Sequence, residues 1–453
     1  MAISARQRIW GWYFFDFASQ PYNTLLLTFI FAPYVKDLLA DGSAAQAAWG
    51  YGIGAAGLAI ALLAPFLGAV ADRSGRRMPF IWLFSGMYVA GAWALWWARP
   101  DDFSLGLILL AFGIGLVGME FATTFTNAML PDLGPREAIG RISGTGWAFG
   151  YVGGLITLVA MLLFLAEGAD GRTLLGLAPA FGLDAAAREG TRAVGPLTAL
   201  WYAVFMIPFF WWVREPRRPG ALPIRTALAG AWPELRATLL RLPRTPSLSA
   251  YLAASMFYRD ALNGIYVFGG IYAAGVLGWS VVNVGTFGIL AVIFGAVFAW
   301  LGGRADSRFG PKPVIVACVA ALALITWGLT EVGRGQVFGL AVAAGSALPD
   351  VAFYALGALV GAAGGALQSA SRTMMVRQAN PARMTEAFGL YALTGKATSF
   401  IAPLSIGIAT DLSGSQQAGI LPLIVLFALG LGLMAFVRGA GERSERWLAD
   451  PAA

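Results

Sequence analysis

Long apolar runs without a charged residue recur along the whole of this 453-residue chain. Residues 53–70 and residues 105–117, for example, contain no Asp, Glu, Lys or Arg. About 18 or more apolar residues, at a helical rise of about 1.5 Å each, match the roughly 30 Å hydrocarbon core of a bilayer. The runs therefore predict an integral membrane protein that crosses the bilayer many times.

The composition fits the same class of protein. Charged residues make up 12% of the chain, whereas a soluble domain usually carries about 25%. Glycine is abundant, with 58 residues, and small residues let helices approach closely inside a bilayer. Gly150, Gly153 and Gly154 suit such a seam between helices.

The apolar pattern predicts an all-α fold with twelve transmembrane helices. The predicted spans cover residues 14–38, 49–71, 79–98, 104–129, 141–166, 196–213, 248–275, 282–302, 313–331, 351–375, 388–411 and 419–437. The apolar stretch 337–348 is too short to span a bilayer, and we expect it to be a loop.

Basic residues are concentrated in every second loop, which fixes the expected orientation by the positive-inside rule. The arginine-poor set of loops contains only Lys36, Arg99, Arg172, Arg188, Arg192 and Arg334. We therefore expect both termini in the cytoplasm and, for a bacterial protein, insertion in the inner membrane. Arg6 and Arg8 lead directly into the first span, so we expect insertion without a cleaved signal.

A basic, proline-rich connection at residues 214–247 divides the chain near its midpoint. We interpret it as a cytoplasmic linker whose charge lies beside anionic lipid. It would join an N-terminal bundle of six helices, residues 1–213, to a C-terminal bundle, residues 248–453, that ends in a short cytoplasmic tail.

Two loops repeat at equivalent positions, after spans two and eight. Each has Gly, then Asp, then Gly followed by basic residues, and the second copy has one extra residue between Asp and Gly. The candidate gating residues are Gly68, Asp72, Arg73, Gly75, Arg76 and Arg77 in the first loop and Asp306, Arg308, Gly310 and Lys312 in the second. An Asp–Arg pair there could act as a latch; the alternative is charge that only fixes topology. The repeat predicts two pseudo-symmetric halves, as an alternating-access carrier needs.

The first loop resembles the signature loop of the major facilitator superfamily. Within that superfamily, the whole chain resembles the "unknown major facilitator" family, which includes autophagy-related vacuolar amino-acid effluxers. The segments concerned are YFFDFASQPYN (13–23), FTNAMLPD (125–132), RISGTGWAFGYVGG (141–154), GALQSASR (365–372) and FGLYALTGKATS (388–399). Tyr258-Arg259-Asp260 resembles the seventh-helix pattern, with Ala261 where the family often has Gly. The resemblance implies a transporter with the major facilitator fold and suggests amino-acid export.

Few charged residues fall inside the predicted spans, where each costs at least about 2.5–3.5 kcal/mol. We predict that Glu120 and Asp260 bind a proton or a substrate amine, and that Arg259 and Lys396 hold a carboxylate or neutralise one of those acids. The alternative is a set of static ion pairs that fix helix register.

Polar residues extend these charges into stripes at helical spacing on spans one, four, seven and ten. The resemblance implies that these four helices line the central cavity of the fold. The candidate substrate- or proton-binding residues are Asp16, Asn23, Glu120, Asn127, Arg259, Asp260, Asn263, Gln368 and Lys396.

Several other functions are disfavoured by residues that the chain lacks. It has no His and only Cys318, which leaves no metal-ligating cluster and no internal disulfide. A phosphate loop of a nucleotide-driven pump is absent, and the basic loops do not suggest nucleic acid. We expect a monomeric, proton-coupled or facilitated carrier of a small polar solute, without cofactor or enzymatic activity. A lipid or drug exporter on the same fold is the alternative, and a membrane-embedded transferase is a more distant one.

Overall fold

The computed structural model describes residues 3–39, 42–168, 170–215, 221–279, 281–343 and 345–442. Within that part of the chain, eleven helices are long and apolar enough to cross a membrane. The predicted all-α, multi-pass architecture is confirmed. Residues 216–220 of the predicted linker and residues 443–453 of the predicted tail lie outside the described residues.

The first half of the chain forms helices close to the first six predicted spans. They are α1 (Ala5–Pro21), a π-helix (Tyr22–Phe29), α2 (Phe31–Leu39), α3 (Gly42–Ser74), α4 (Met78–Ala94), α5 (Leu105–Asn127), α6 (Ile139–Ala160), a second π-helix (Met161–Leu165), α7 (Glu189–Arg192), α8 (Val194–Phe205) and α9 (Ile207–Trp212). Short 3-10 helices lie at Leu95–Trp97, Leu130–Leu133, Arg136–Ala138 and Ala180–Gly182.

The second half of the chain is also mainly helical. Its helices are α10 (Ile224–Arg241), α11 (Pro246–Leu277), α12 (Val281–Phe309), α13 (Pro311–Thr330), α14 (Leu348–Gln378), α15 (Met384–Ala397), α16 (Ile401–Ser413), α17 (Gln416–Gly419) and α18 (Leu421–Ala435), with 3-10 helices at Leu242–Arg244 and Pro381–Arg383. Strands β1 (Val332–Gly333), β2 (Gln336–Val337) and β3 (Leu340–Ala341) form a small antiparallel sheet. The stretch 337–348 therefore does not span, as predicted, although it contains two short strands.

The predicted first span is built from α1, the π-helix and α2, and it is not among the eleven apolar helices. Asp16, Gln20 and Asn23 make it more polar than the others. Pro21 ends the α-helical part, because proline cannot donate the backbone hydrogen bond that a regular helix requires. π-helical turns are rare and frequently occur at functional sites.

The chain divides into two compact units. Unit 1 consists of Met1–Met129 and Phe149–Ala231, and unit 2 of Leu130–Ala148 and Trp232–Ala453. Of the three boundaries, the first falls after Met129, the second inside α6 and the third inside α10, so α6 and α10 each contribute residues to both units. The predicted division into residues 1–213, 214–247 and 248–453 stays a prediction.

Glycines set the closest helix contacts in unit 1. A Cβ on Gly91 of α4 would lie 2.4 Å from the Gly115 nitrogen of α5, and one on Gly118 would lie 2.5 Å from the Tyr88 nitrogen. Along α6, a Cβ on Gly153 would lie 2.4 Å from the Phe17 carbonyl oxygen. These distances leave no room for a side chain, so the predicted Gly150–Gly154 seam packs directly on α1.

Candidate functional site

Unit 1 presents its predicted site residues on α1, the π-helix after it, and α5. Asp16, Asn23, Glu120 and Asn127 are all partly exposed. Their neighbours on the same helices are buried: the Trp12 indole donates a hydrogen bond to the Thr126 carbonyl oxygen at 2.9 Å. The apolar sides of α1 and α5 thus hold the two helices together, and the polar stripes remain accessible.

The Tyr22 hydroxyl strengthens this arrangement at the start of the π-helix. It donates to the Phe112 carbonyl oxygen of α5 at 2.6 Å. Tyr22 is fully buried against Gly115, where an added Cβ would lie 2.6 Å from the hydroxyl oxygen. The polar π-helical turn that carries Asn23 is therefore fixed by a buried tyrosine.

In unit 2, Arg259 of α11 reaches α15. Its Nη1 donates to the Tyr391 carbonyl oxygen at 2.9 Å, and its guanidinium carbon lies 4.1 Å from the centre of the Tyr391 ring. Gly395 makes this approach possible, because a Cβ there would lie 2.6 Å from Nη2. Arg259 is only partly buried, so the guanidinium combines a fixed position with an accessible surface.

Asp260 points to a different place, the interruption of span eleven between α15 and α16. Its Oδ2 accepts a hydrogen bond from the Ala402 amide in the first turn of α16, at 2.8 Å. The side chain is 3% exposed, and Oδ1 has no hydrogen-bond partner among the described residues. A carboxylate suits this position, because the first amides of a helix lack intrahelical acceptors and carry a partial positive charge.

The remaining predicted residues of unit 2 lie on three helices. Lys396 is partly buried in the last turn of α15, and its carbonyl oxygen accepts from the Ser399 hydroxyl at 3.0 Å. Asn263 is exposed on α11, and Gln368 is partly buried on α14. Within the described part of the chain, the structure thus brings Arg259 and Asp260 against α15 and α16 but does not bring Asn263 or Gln368 into hydrogen-bond contact with either of them.

Arg372 of α14 makes a buried contact that the sequence analysis did not predict. It is 3% exposed; its Nε donates to the Ser143 hydroxyl at 3.0 Å and its Nη2 to the Ser143 carbonyl oxygen at 2.7 Å. The guanidinium also lies 5.5 Å from the Trp147 ring centre. Ser143 and Trp147 belong to the part of α6 that is in unit 2. No local pattern could predict a pair separated by 229 positions.

The loop after α3 takes part in an ion pair and donates backbone hydrogen bonds to Glu215. Gly75 has a positive φ of 60°, which glycine adopts without strain. Asp72 and Arg77 form an ion pair at 3.8 Å. Glu215 accepts from the amides of Arg77 at 2.6 Å and Met78 at 3.2 Å, which caps the start of α4.

Other residues of this loop contact the segment before and within α10. The Arg73 carbonyl oxygen accepts from the Leu222 amide at 3.1 Å, and a Cβ on Gly230 would lie 2.2 Å from Arg73 Nη2. Gly68 is buried in α3, whereas Arg76 is exposed.

The loop after α12 has the same kind of glycine, Gly310, with φ 87°. Asp306 is fully buried, and a Cβ on Gly140 would lie 2.7 Å from its Cγ. Arg308 stays near the surface, with its guanidinium 5.3 Å from the Phe309 ring. Lys312 donates to the Val437 carbonyl oxygen at 2.6 Å. The role of the residues in both loops, after α3 and after α12, as gates stays a prediction.

The family profile described as "Vacuole effluxer Atg22 like" matches residues 135–446. The chain belongs to this Atg22-like family. The family predicted from the five sequence segments is thereby confirmed.

Two relatives of this Atg22-like protein illustrate its range. The "Uncharacterized MFS-type transporter YxiO" of Bacillus subtilis (strain 168) is 25% identical over 444 residues, which cover 94% of each chain. "Autophagy-related protein 22" of Coccidioides immitis (strain RS) is 26% identical over 331 residues, covering 68% of this chain and 50% of the fungal protein. The Atg22-like chain thus spans about half the length of that fungal relative.

The fold of the Atg22-like protein is shared with solved transporters. The structure of the major facilitator superfamily proton:xylose symporter XylE matches with a TM-score of 0.66 and 12% identity, over 95% of this chain and 94% of the symporter. The predicted major facilitator fold is confirmed. The Atg22-like protein is therefore a multi-pass membrane transporter of the MFS type, and these relatives give no indication of a catalytic activity.

Proposed function

We propose that this Atg22-like protein exports a small zwitterionic solute of the amino-acid class by alternating access, with proton coupling. The observation that carries the proposal is the partial exposure of opposite charges within the membrane spans. Glu120 and Asp16 in unit 1, and Arg259 and Lys396 in unit 2, are all partly exposed. Because a charged group facing lipid is costly, about 2.5–3.5 kcal/mol or more, such exposure favours contact with water.

The two kinds of charge match the two ends of an amino acid. A carboxylate such as Glu120 can accept hydrogen bonds from a substrate ammonium or take up a proton. A guanidinium carries five N–H donors and binds carboxylates with two parallel hydrogen bonds. Arg259 uses Nη1 for the Tyr391 carbonyl oxygen, which holds the guanidinium in place and leaves further donors for a carboxylate ligand.

Proton coupling would act through Glu120 and Asp260. Protonation of Glu120 removes the charge that attracts an ammonium, so proton and amine would compete for the same group. Protonation of Asp260 would weaken its charge-assisted hydrogen bond to the Ala402 amide. The proton:xylose symport named for XylE supports proton coupling on this fold.

The distribution of arginine supports an orientation with both termini in the cytoplasm. For a bacterial protein, we propose that the transporter is inserted in the inner membrane and works there as a monomer.

The direct test is transport by the purified protein in liposomes. Labelled amino acids would be supplied with and without a pH gradient, and solute accumulation would be measured. Accumulation that follows the gradient supports coupling, and no uptake of any amino acid contradicts the substrate class. Glu120→Gln should abolish the response to the gradient in a well-folded protein, whereas Glu137→Gln, at an exposed position of the 3-10 helix Arg136–Ala138, should leave it unchanged.

A further inference from the structure

A furrow runs along the outside of unit 1 between α4 and α5. Its volume is about 650 Å³, and its lining includes Ala90, Gly91, Trp97, Leu107, Leu110 and Ile114. The close contact of Gly91 with α5 brings the two backbones together, so small side chains form the floor and larger ones form the walls. This volume is in the range of about 300–1,000 Å³ that is usual for ligand sites.

The furrow lies on the side of α5 away from the polar stripe. With about 3.6 residues per turn, the directions of Leu107, Leu110 and Ile114 average about 120° away from those of Glu120 and Asn127. Leu107 is 67% and Leu110 58% exposed, so both apolar side chains stand at the surface of a membrane-crossing helix. The natural occupant of such a surface is a lipid acyl chain, and the eight residues from Leu107 to Ile114 would cover about 10 Å of it.

One end of the furrow carries two opposite charges. Arg99 and Asp102, both exposed, line it together with Ser104 in the loop before α5. The two side chains do not form an ion pair with each other among the described contacts. Trp97, 55% exposed beside them, is the type of residue that is enriched at the headgroup level of a membrane.

From this charge pattern we infer that the furrow binds phosphatidylethanolamine. The lipid phosphate would pair with the Arg99 guanidinium, the ethanolamine ammonium with the Asp102 carboxylate, and one acyl chain would lie in the apolar furrow. An anionic lipid such as phosphatidylglycerol would meet the Asp102 charge without a compensating ammonium. Phosphatidylcholine has the same net charge, but its quaternary ammonium has no N–H to donate.

Lipid-dependent stability of the purified, delipidated protein tests the inference. Phosphatidylethanolamine, phosphatidylcholine and phosphatidylglycerol with identical acyl chains would be added in turn, and the bound lipid counted by native mass spectrometry. We expect phosphatidylethanolamine to bind most tightly and to raise the melting temperature most. Asp102→Asn should weaken its binding by about fivefold, the size of one partly exposed ion pair.

The neighbouring Asp101 supplies a matched control. It is exposed in the same loop but does not line the furrow, so Asp101→Asn should leave lipid binding unchanged. Ala94 of α4 also lines the furrow, so Ala94→Phe should fill the furrow and reduce binding of all three lipids. Equal binding of the three lipids to the wild-type protein, or equal effects of Asp101→Asn and Asp102→Asn, would overturn the inference. Because these readouts do not involve transport, they are independent of the proposed function.

Discussion

The Asp260 carboxylate of α11 holds the Ala402 amide at the start of α16, with 2.8 Å between oxygen and nitrogen. The two residues are 142 positions apart. Asp260 is predicted from the sequence to bind a proton or a substrate amine. It thus has a second role, because it also stabilises span eleven where that span is interrupted. The two roles are compatible, because a change in the carboxylate charge changes the strength of this hydrogen bond.

The first prediction separates these roles at Asp260. Asp260→Ala removes the acceptor of the Ala402 amide and should lower the unfolding free energy by about 1.5–3 kcal/mol, the value of a hydrogen bond to a charged group. Asp260→Asn keeps an acceptor oxygen and should stay within about 1 kcal/mol of the wild-type protein. Unfolding of the purified protein in detergent would be measured for both.

Transport completes this comparison. If Asp260 carries a coupling proton, Asp260→Asn should fold well and still lose the response to a pH gradient. A fully coupled Asn variant would assign Asp260 to helix stability alone.

The second prediction concerns Arg372 and Ser143. Arg372→Met and Ser143→Ala should each destabilise the protein, and the double variant should lose less than the sum, with a coupling energy of about 1–2 kcal/mol. The reason is that both substitutions remove the buried hydrogen bond from Arg372 Nε to the Ser143 hydroxyl, whereas the bond to the Ser143 carbonyl oxygen is lost only with Arg372→Met. Thermal unfolding of the four proteins gives the coupling.

A control for this double-mutant cycle uses Thr326 of α13. Its hydroxyl donates a hydrogen bond to the Leu322 carbonyl oxygen within the same helix. Arg372→Met combined with Thr326→Ala should be additive. Additivity of the Arg372 and Ser143 variants as well would show that the contact between the guanidinium and the Ser143 hydroxyl contributes nothing to stability.

The third prediction compares two glycines of α4. Gly91→Ala should destabilise the protein by about 1–3 kcal/mol, the usual cost of overpacking, because the added carbon would lie 2.4 Å from the backbone of α5. Gly86 has nothing within 4 Å of its would-be Cβ, so Gly86→Ala should cause no loss. Melting temperatures of the two variants check the difference, and equal losses would contradict the packing described for α4 and α5.

The fourth prediction tests the orientation with single cysteines. Cys318 is the only cysteine of the chain, so Cys318→Ser gives a cysteine-free background. Glu137→Cys and Asp101→Cys, both at exposed loop positions, should react with a membrane-impermeant maleimide from opposite sides. In intact cells only the Asp101→Cys variant should be labelled; labelling of Glu137→Cys instead would reverse the proposed topology.

The membrane spans could be predicted closely, because hydropathy acts locally along the chain. The predicted span 248–275 corresponds to α11, Pro246–Leu277, and the predicted span 351–375 to α14, Leu348–Gln378. Span eleven was predicted as continuous over residues 388–411, whereas the structure interrupts it between Ala397 and Ile401. The acceptor at this interruption is Asp260, which lies far away in sequence, so a local pattern could not reveal it.

The helix in the linker was also not predicted. Pro233 falls inside α10, and proline in a sequence normally argues against a helix. Ala227 and Ala231 of α10 are nevertheless fully buried against Ala69 and Val70 of α3. Tertiary packing of this kind overrides local preference and cannot be read from the linker alone.

For the candidate site, the residues of the predicted polar stripes lie within the predicted spans, and their role in binding stays a prediction. The partners across helices, such as Tyr391 for Arg259, required the structure. The glycine that makes room for the guanidinium, Gly395, lies within the family segment 388–399, but its role could not be inferred without knowing which side chain packs on it.

The interruption of span eleven also bears on how the protein is made. α15 has 14 residues and α16 has 13, so each measures only about 20 Å and neither alone can cross a hydrocarbon layer of about 30 Å. During biosynthesis the two pieces must therefore enter the bilayer together. Until α11 supplies the Asp260 carboxylate, the amide at their junction lacks this acceptor, so assembly of the nascent chain should depend on α11 having been inserted first.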